Sequence, residues 1–164
     1  MADSKIYNDE VLYFFDELVL NSGDFANRTT ILSGGSLIVE AGGIANSTSI
    51  EVDSPYEGIR ELIVRGTANE VRNKGGTVEV LDGGSAWTLT VSDLGILAVE
   101  EGGSAVDVTI EDQGILRLSA GGSVSNVTVE DGGALILENG ASTTRPILQE
   151  GGIFGYDFNC SLLE

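Results

Sequence analysis

The amino-acid sequence predicts an all-β fold of one kind, a right-handed parallel β-helix (a solenoid) of about seven to eight rungs occupying residues 1–164 as a single domain. Three observations carry that expectation. Glycines at positions 76, 95, 114, 133 and 152 recur every 19 residues. A second series, Gly84, Gly103, Gly122 and then Ala141, keeps this period 8 residues later, and Gly35 and Gly43 repeat the offset of 8. Between the two series run alternating apolar pairs: Leu37 and Val39, Val78 and Val80, Leu97 and Val99, Leu116 and Leu118, Leu135 and Leu137. Alternate side chains of a strand share a face, so these pairs point inward while Glu79 and Arg117 between them point outward. A single copy cannot bury its own apolar face. Because both turns keep a constant spacing and do not alternate in direction, coiling satisfies the pattern better than the runner-up, a β-sandwich or roll of hairpins. Stacked equivalents then lie about 4.8 Å apart and the rod is roughly 35 Å long. The crossover preference of parallel strands favours the right-handed coil.

The elements follow in order. Counting back from Gly35, Asp16 and Asp24 fall in the two glycine series, and LVLNSGD at 18–24 reads like LIVEAGG at 37–43. Residues 1–25 are expected to form an N-terminal cap or first rung, and residues 153–164 a C-terminal cap. Aromatic placement agrees, with Tyr7, Tyr13, Phe14, Phe15 and Phe25 near the start and Phe154, Tyr156 and Phe158 near the end. The middle rungs carry only Tyr56 and Trp87. From Gly35 to Gly76 the chain takes 41 residues, two periods plus three, so residues 50–74 should be an irregular rung with an insertion. After the second turn of the later copies, Ala86, Leu89 and Val91 should point inward, as should Val108 and Ile110, and Val127 and Val129. Trp87 then faces out, and Thr90, Thr109 and Thr128 form an outward ladder.

Composition closes many chemistries. The formal charge of -18 opposes nucleic acid and anionic membranes, because phosphate contact needs clustered Lys and Arg. The apolar stretch VLYFFDELVL is interrupted by Asp16 and Glu17, so no membrane insertion of this segment is expected. With Cys160 the lone cysteine and no histidine, an internal disulfide, a Cys-based zinc site and the usual catalytic triads are all excluded. The reading is non-enzymatic: no cofactor is expected, and the turns are too short to wall a catalytic cleft.

Two constellations stand out. Stacking would align Asp93, Asp112, Asp131 and Glu150 in one column, a solvated acidic face that calcium, a hard cation, could bridge as a metal site. The GGxGxD rhythm of calcium-binding β-rolls is absent. The irregular stretch holds Arg60, Arg65, Arg72 and Lys74, four of the eight basic residues, together with Tyr56. On an acidic rod this is the candidate binding patch for an acidic ligand or for the acidic face of another rod; as a plain insertion loop, its cations would pair with Glu57, Glu61 and Glu70. Asn27, Asn46 and Asn126 begin Asn-x-Thr triplets, a glycosylation acceptor pattern for which chance is the better account.

The unit T-V-x-x-G-G-x-L-x-V-x-x-G-G-x-A resembles the passenger repeats of AIDA-type autotransporter adhesins. The matching stretches are TILSGGSLIVEAGGIAN (30–46), GGTVEVLDGGSAW (75–87), TVSDLGILAVEEGGSAV (90–106), TIEDQGILRLSAGGSVSN (109–126) and TVEDGGALILENGAS (128–142). The resemblance implies a right-handed β-helix secreted to a bacterial cell surface as part of a longer precursor. It also implies a structural or adhesive role, with a protein or glycan surface as partner, or self-association through rod faces or ends. Under the same resemblance Ser36, Ser85, Ser104 and Ser123 would be stacked glycosylation acceptors, although a small polar residue also suits the exit of a tight turn. The alternative from another class is a carbohydrate-binding or carbohydrate-cleaving β-helix module.

Overall fold

Residues 4–51, 61–144 and 146–157 are described in a computed structural model of the chain. Every regular element among them is a strand. The first coils contain β1 (Ile6–Asn8), β2 (Val11–Leu12), β3 (Glu17–Leu20), β4 (Phe25–Asn27), β5 (Thr30–Ile31), β6 (Ser36–Val39) and β7 (Ile44–Ile50). The irregular copy supplies β8 (Glu61–Val64) and β9 (Thr67–Lys74). Regular copies follow as β10 (Thr77–Val80), β11 (Ser85–Ser92), β12 (Ile96–Val99), β13 (Ser104–Ile110), β14 (Ile115–Leu118), β15 (Ser123–Val129) and β16 (Ala134–Glu138). The last are β17 (Ile147–Leu148) and β18 (Ile153–Asp157).

These strands stack into two parallel sheets. The shorter strands form an eight-stranded sheet in the order β18-β16-β14-β12-β10-β8-β6-β3, and the others a ten-stranded sheet through β1-β4-β7-β9-β11-β13-β15-β17 with β2 and β5 beside it. Each strand therefore pairs with its equivalent in the next coil, as Leu97 does with Leu116 and Leu116 with Leu135. This is the parallel β-solenoid that the 19-residue period predicts. The inward pairs form continuous apolar ladders, with Leu37, Val39, Leu62, Val64, Val78, Val80, Leu97, Val99, Leu116, Leu118 and Leu135 all at 0% exposure. Each such side chain contributes roughly 1.5–3 kcal/mol by leaving water. Trp87 faces out, 45% exposed, and Thr90, Thr109 and Thr128 stack in register, as expected.

The two glycines of each Gly-Gly turn are there for different reasons. The first takes a left-handed conformation, as Gly42 (φ 82°) and Gly83 (φ 77°) do, which side chains disfavour. The second lies against the coil below: a Cβ on Gly43 would stand 2.6 Å from the Leu20 carbonyl oxygen. Where the first glycine is replaced, by Phe15, Leu94 or Gln113, φ stays positive at 69°, 68° and 59°. Asp16 and Asp24 keep the turn hydrogen bond of the second position, their N–H groups donating to the Tyr13 and Asn21 carbonyls at 3.1 and 2.9 Å.

A further bend carries no glycine. Arg28, Ser47, Thr88, Asp107 and Asn126 all have φ between 55° and 58°, and divide the long strands into two arms. Each regular coil thus has three short arms and three bends.

Candidate functional site

The irregular rung contains three length changes that nearly cancel. Eleven residues separate Ile50 from Glu61 where five separate Ile31 from Ser36, three separate Val64 from Thr67 where five separate Val39 from Ile44, and four separate Asn73 from Thr77 where five separate Ile110 from Ile115. The net excess is the three residues visible in the sequence. Within the first shortened corner, the Arg65 and Gly66 N–H groups both donate to the Val39 carbonyl, at 2.7 and 2.9 Å. The second shortened corner is closed by a side chain. Asn73 stands between Ile50 and Val91 in an inward ladder, at 0% exposure. Its Oδ1 accepts from the Gly76 N–H at 3.0 Å, and its Nδ2 donates to the carbonyls of Gly76 and Ile96 at 3.0 and 2.9 Å. In regular coils the same bond is backbone to backbone, as from Gly95 N–H to the Ser92 carbonyl.

The predicted basic patch is divided by this architecture. Tyr56 and Arg60 lie outside the described residues. Arg65 sits at the corner after β8, where its guanidinium meets Glu40 at 3.2 Å. Arg72 and Lys74 lie on β9 in the other sheet, both exposed and alternating with buried Val71 and Asn73. Their strand is flanked by two shallow depressions of about 290 and 250 Å³, the first lined by Glu70, Val71, Arg72, Thr88 and Thr90, the second by Ser47, Thr48, Ser49, Glu70 and Arg72. Glu70 sits at a left-handed bend (φ 55°), and its carboxylate accepts a hydrogen bond from the Ser47 hydroxyl at 2.7 Å. These depressions form a hydroxyl-lined strip with one acid and one guanidinium.

Next to the strip runs an amide ladder that sequence reasoning missed. Asn27 donates to Asn8, Asn46 to Asn27 and Asn69 to Asn46, Nδ2 to Oδ1, at 3.0, 3.0 and 2.9 Å. The signal was legible, since Asn8, Asn27 and Asn46 share the 19-residue period. Two of the three Asn-x-Thr asparagines are thus ladder members. The third, Asn126, occupies a left-handed bend and donates to Asp107 at 2.8 Å.

Asp93, Asp112, Asp131 and Glu150 occupy the second position of successive equivalent turns, with the Asp93 N–H donating to the Asp112 carbonyl at 3.0 Å. Asp112 and Asp131 reach along the rod, and each fills the space that a side chain on the next coil's glycine, Gly132 or Gly151, would occupy. Asp82 does the same above Gly102. The acid and the following coil's glycine are therefore one packing unit. Among the described residues no three acidic side chains converge closely enough to hold a metal ion.

Electrostatic perturbations are few. At Asp24, N–H groups of Lys5 and Asn21 donate to the carboxylate at 2.8 and 3.0 Å and hold it below its ordinary range. Asp9 is lowered by a two-pronged bond from Arg28 at 2.6 and 2.8 Å. Glu79, on the outer face of β10, is pushed up by desolvation and then by the nearby Glu61 and Glu100, with Arg65 pulling the other way.

Fold and surface together define an acidic, all-β parallel solenoid that carries an amide ladder from Asn8 to Asn69 and a threonine ladder from Thr90 to Thr128 on its outside. No protein-family model matches the chain, and no curated protein matches it. Among solved structures it is similar to the crystal structure of the TibC-catalysed, hyper-glycosylated TibA55-350 fragment, with 19% identity and a TM-score of 0.38, covering 95% of this chain and 98% of that one.

Proposed function

We propose that this chain is a non-enzymatic structural and adhesive segment of a secreted or surface-displayed protein, built on AIDA-type repeats. The observation that carries the reading is the regularity of its outer faces. Amides recur from Asn8 to Asn69 and threonine hydroxyls from Thr90 to Thr128, so a partner that binds one coil of either ladder weakly meets the same chemistry on the next. The strip at Glu70, Arg72, Thr88 and Thr90 supplies the hydroxyl, carboxylate and guanidinium groups that recognise sugar hydroxyls or an acidic ligand. The Gly-Gly turns that resemble adhesin passengers are the same turns that hold the coil.

A glycan array and solid-phase binding to extracellular-matrix proteins, each probed with the labelled chain, test the proposal. Saturable binding that falls at least about tenfold in the double substitution R72E/K74E is the expected result. Binding to nothing on either surface, or release of reducing ends from a polysaccharide, would count against it, the latter in favour of a carbohydrate-cleaving module.

A further inference from the structure

Trp87 is the lone tryptophan of the chain and stands where the amide ladder stops. On β9, β11 and β13 the arm before the left-handed bend turns two columns of side chains outward. In one column Trp87 follows Asn69 and precedes Val106; in the other Ser85 lies between Thr67 and Ser104. Burial separates the indole from these neighbours, for it is 45% exposed while all five are half-buried. Its side chain makes no hydrogen bond or ring contact among the described residues. An asparagine at this position would extend the ladder by one more amide bond, as Asn27, Asn46 and Asn69 each do. The indole ends the ladder and gains nothing within the chain.

The ladder also has a direction. Every Nδ2 donates to the preceding coil, so every Oδ1 faces the following one. Asn69 carries the last amide, and its Oδ1 accepts from no group among the described residues, on the side where Trp87 lies. Hydrogen bonds in file polarise one another, which makes this terminal oxygen the strongest acceptor of the four. Ser85 stands two residues from the indole, roughly 6.6 Å along the strand, and Asn69 and Val106 stand one coil to either side, about 4.8 Å away. A polarised acceptor, an exposed indole and hydroxyl groups therefore share one flat patch.

That set fits a pyranose. The C–H face of the sugar ring lies against the indole and buries apolar surface, while hydroxyls at the ring edge donate to Asn69 and exchange hydrogen bonds with Ser85 and Ser104. Charge narrows the class. Glu70 and Asp107 follow Asn69 and Val106 at the bend, exposed and one coil to either side of Trp87. Carboxylates in these places repel uronates and sulfates and accept from neutral hydroxyls. We propose that Trp87 is the stacking platform of a binding site for neutral glycans, with the Asn69 Oδ1 as the acceptor that orients the sugar. The site lies across the Thr88 bend from the strip at Arg72, and it goes beyond the reading above by adding a second site with its own ligand class. Because the patch is open and flat, it takes an internal stretch of a glycan chain as well as a terminal residue.

With a single tryptophan in the chain, its own emission reads the site. Titration with cellohexaose and with chitohexaose, both neutral oligosaccharides, through the millimolar range should shift the emission to shorter wavelength and saturate with at least one of them. An oligogalacturonate of equal length should bind at least about tenfold more weakly. Isothermal titration calorimetry extends the comparison to variants that lack the indole, with circular dichroism melts showing that each is folded. Trp87→Ala should lose at least about tenfold in affinity, Trp87→Tyr should keep most of it, and Asn69→Ala should lose about fivefold. Emission that ignores both neutral oligosaccharides overturns the inference. So does binding that survives in Trp87→Ala, or an acidic oligosaccharide that binds as well as the neutral ones. Saturable binding to matrix proteins without a response to either neutral oligosaccharide removes this site and leaves the adhesive reading standing.

Discussion

Thr48 occupies an inward ladder position beside Val71, is 2% exposed, and its Oγ1 has no hydrogen-bond partner. A buried hydroxyl without a partner costs more than a methyl of the same shape. Thr48→Val should therefore raise the unfolding free energy by about 1 kcal/mol in urea titration; a decrease would mean that the hydroxyl has a role in the core. Asp24 argues in the opposite direction. Its carboxylate is bound by two backbone N–H groups and is lowered in the folded chain. A lowered carboxylate contributes stability above its unfolded pKa of about 3.9, and this is lost as pH falls through the folded value. Asp24→Asn is thus expected to lower the urea midpoint at neutral pH and to converge on the wild type in acid. An equal difference at both pH values would show that charge is not the cause. Asp9 shifts the same way, but its pair with Arg28 is exposed and contributes little.

At the scale of the element, the irregular rung shows what a net count conceals. The excess of three residues between Gly35 and Gly76 located the break in the period. It did not reveal one long and two shortened corners, because insertions and deletions within a coil add algebraically while each corner closes on its own hydrogen bonds. Asn73 illustrates the point. At a ladder position an apolar residue is expected, and Asn73→Leu would suit the transfer free energy. The change would nevertheless leave the Gly76 N–H and the Gly76 and Ile96 carbonyls without their partner. The expected result is a loss of about 2–4 kcal/mol in chemical denaturation, against less than about 1 for a pair that only packs. A neutral outcome would show that the backbone closes the corner unaided. The left-handed bend was illegible for a related reason: Arg28, Ser47 and Thr88 are not residues that favour φ > 0, and the stacked coils hold them there.

At the scale of the molecule, a charge of -18 on a rod with few cations makes self-repulsion a general term in stability. Added salt should raise the melting temperature by screening it. Because the acidic side chains reach along the rod and no three of them converge among the described residues, calcium should match a monovalent salt at equal ionic strength. A clear excess for calcium over that match, reversed by chelator, would reveal a specific site in the acidic columns. The candidate basic patch is the part of the surface that the sequence read least well. Residues close together in the chain, Arg65 and Arg72, are parted because Arg65 stands at the corner that follows β8 while Arg72 lies on β9 in the other sheet.

By itself the sequence determined the solenoid, its period, the inward ladders and the place where the period breaks. Those follow from alternation and spacing, which are local properties of a strand and its turns. Only the tertiary structure decided what stacking creates between residues 19 or more apart: the acid lying in the next glycine's space, and the Asn73 amide reaching the Ile96 carbonyl from a shortened corner. The physical reason is that each depends on where one coil sits over another. A repeat predicts that coils stack, but the side chains that share the gap between them are set by three-dimensional contact.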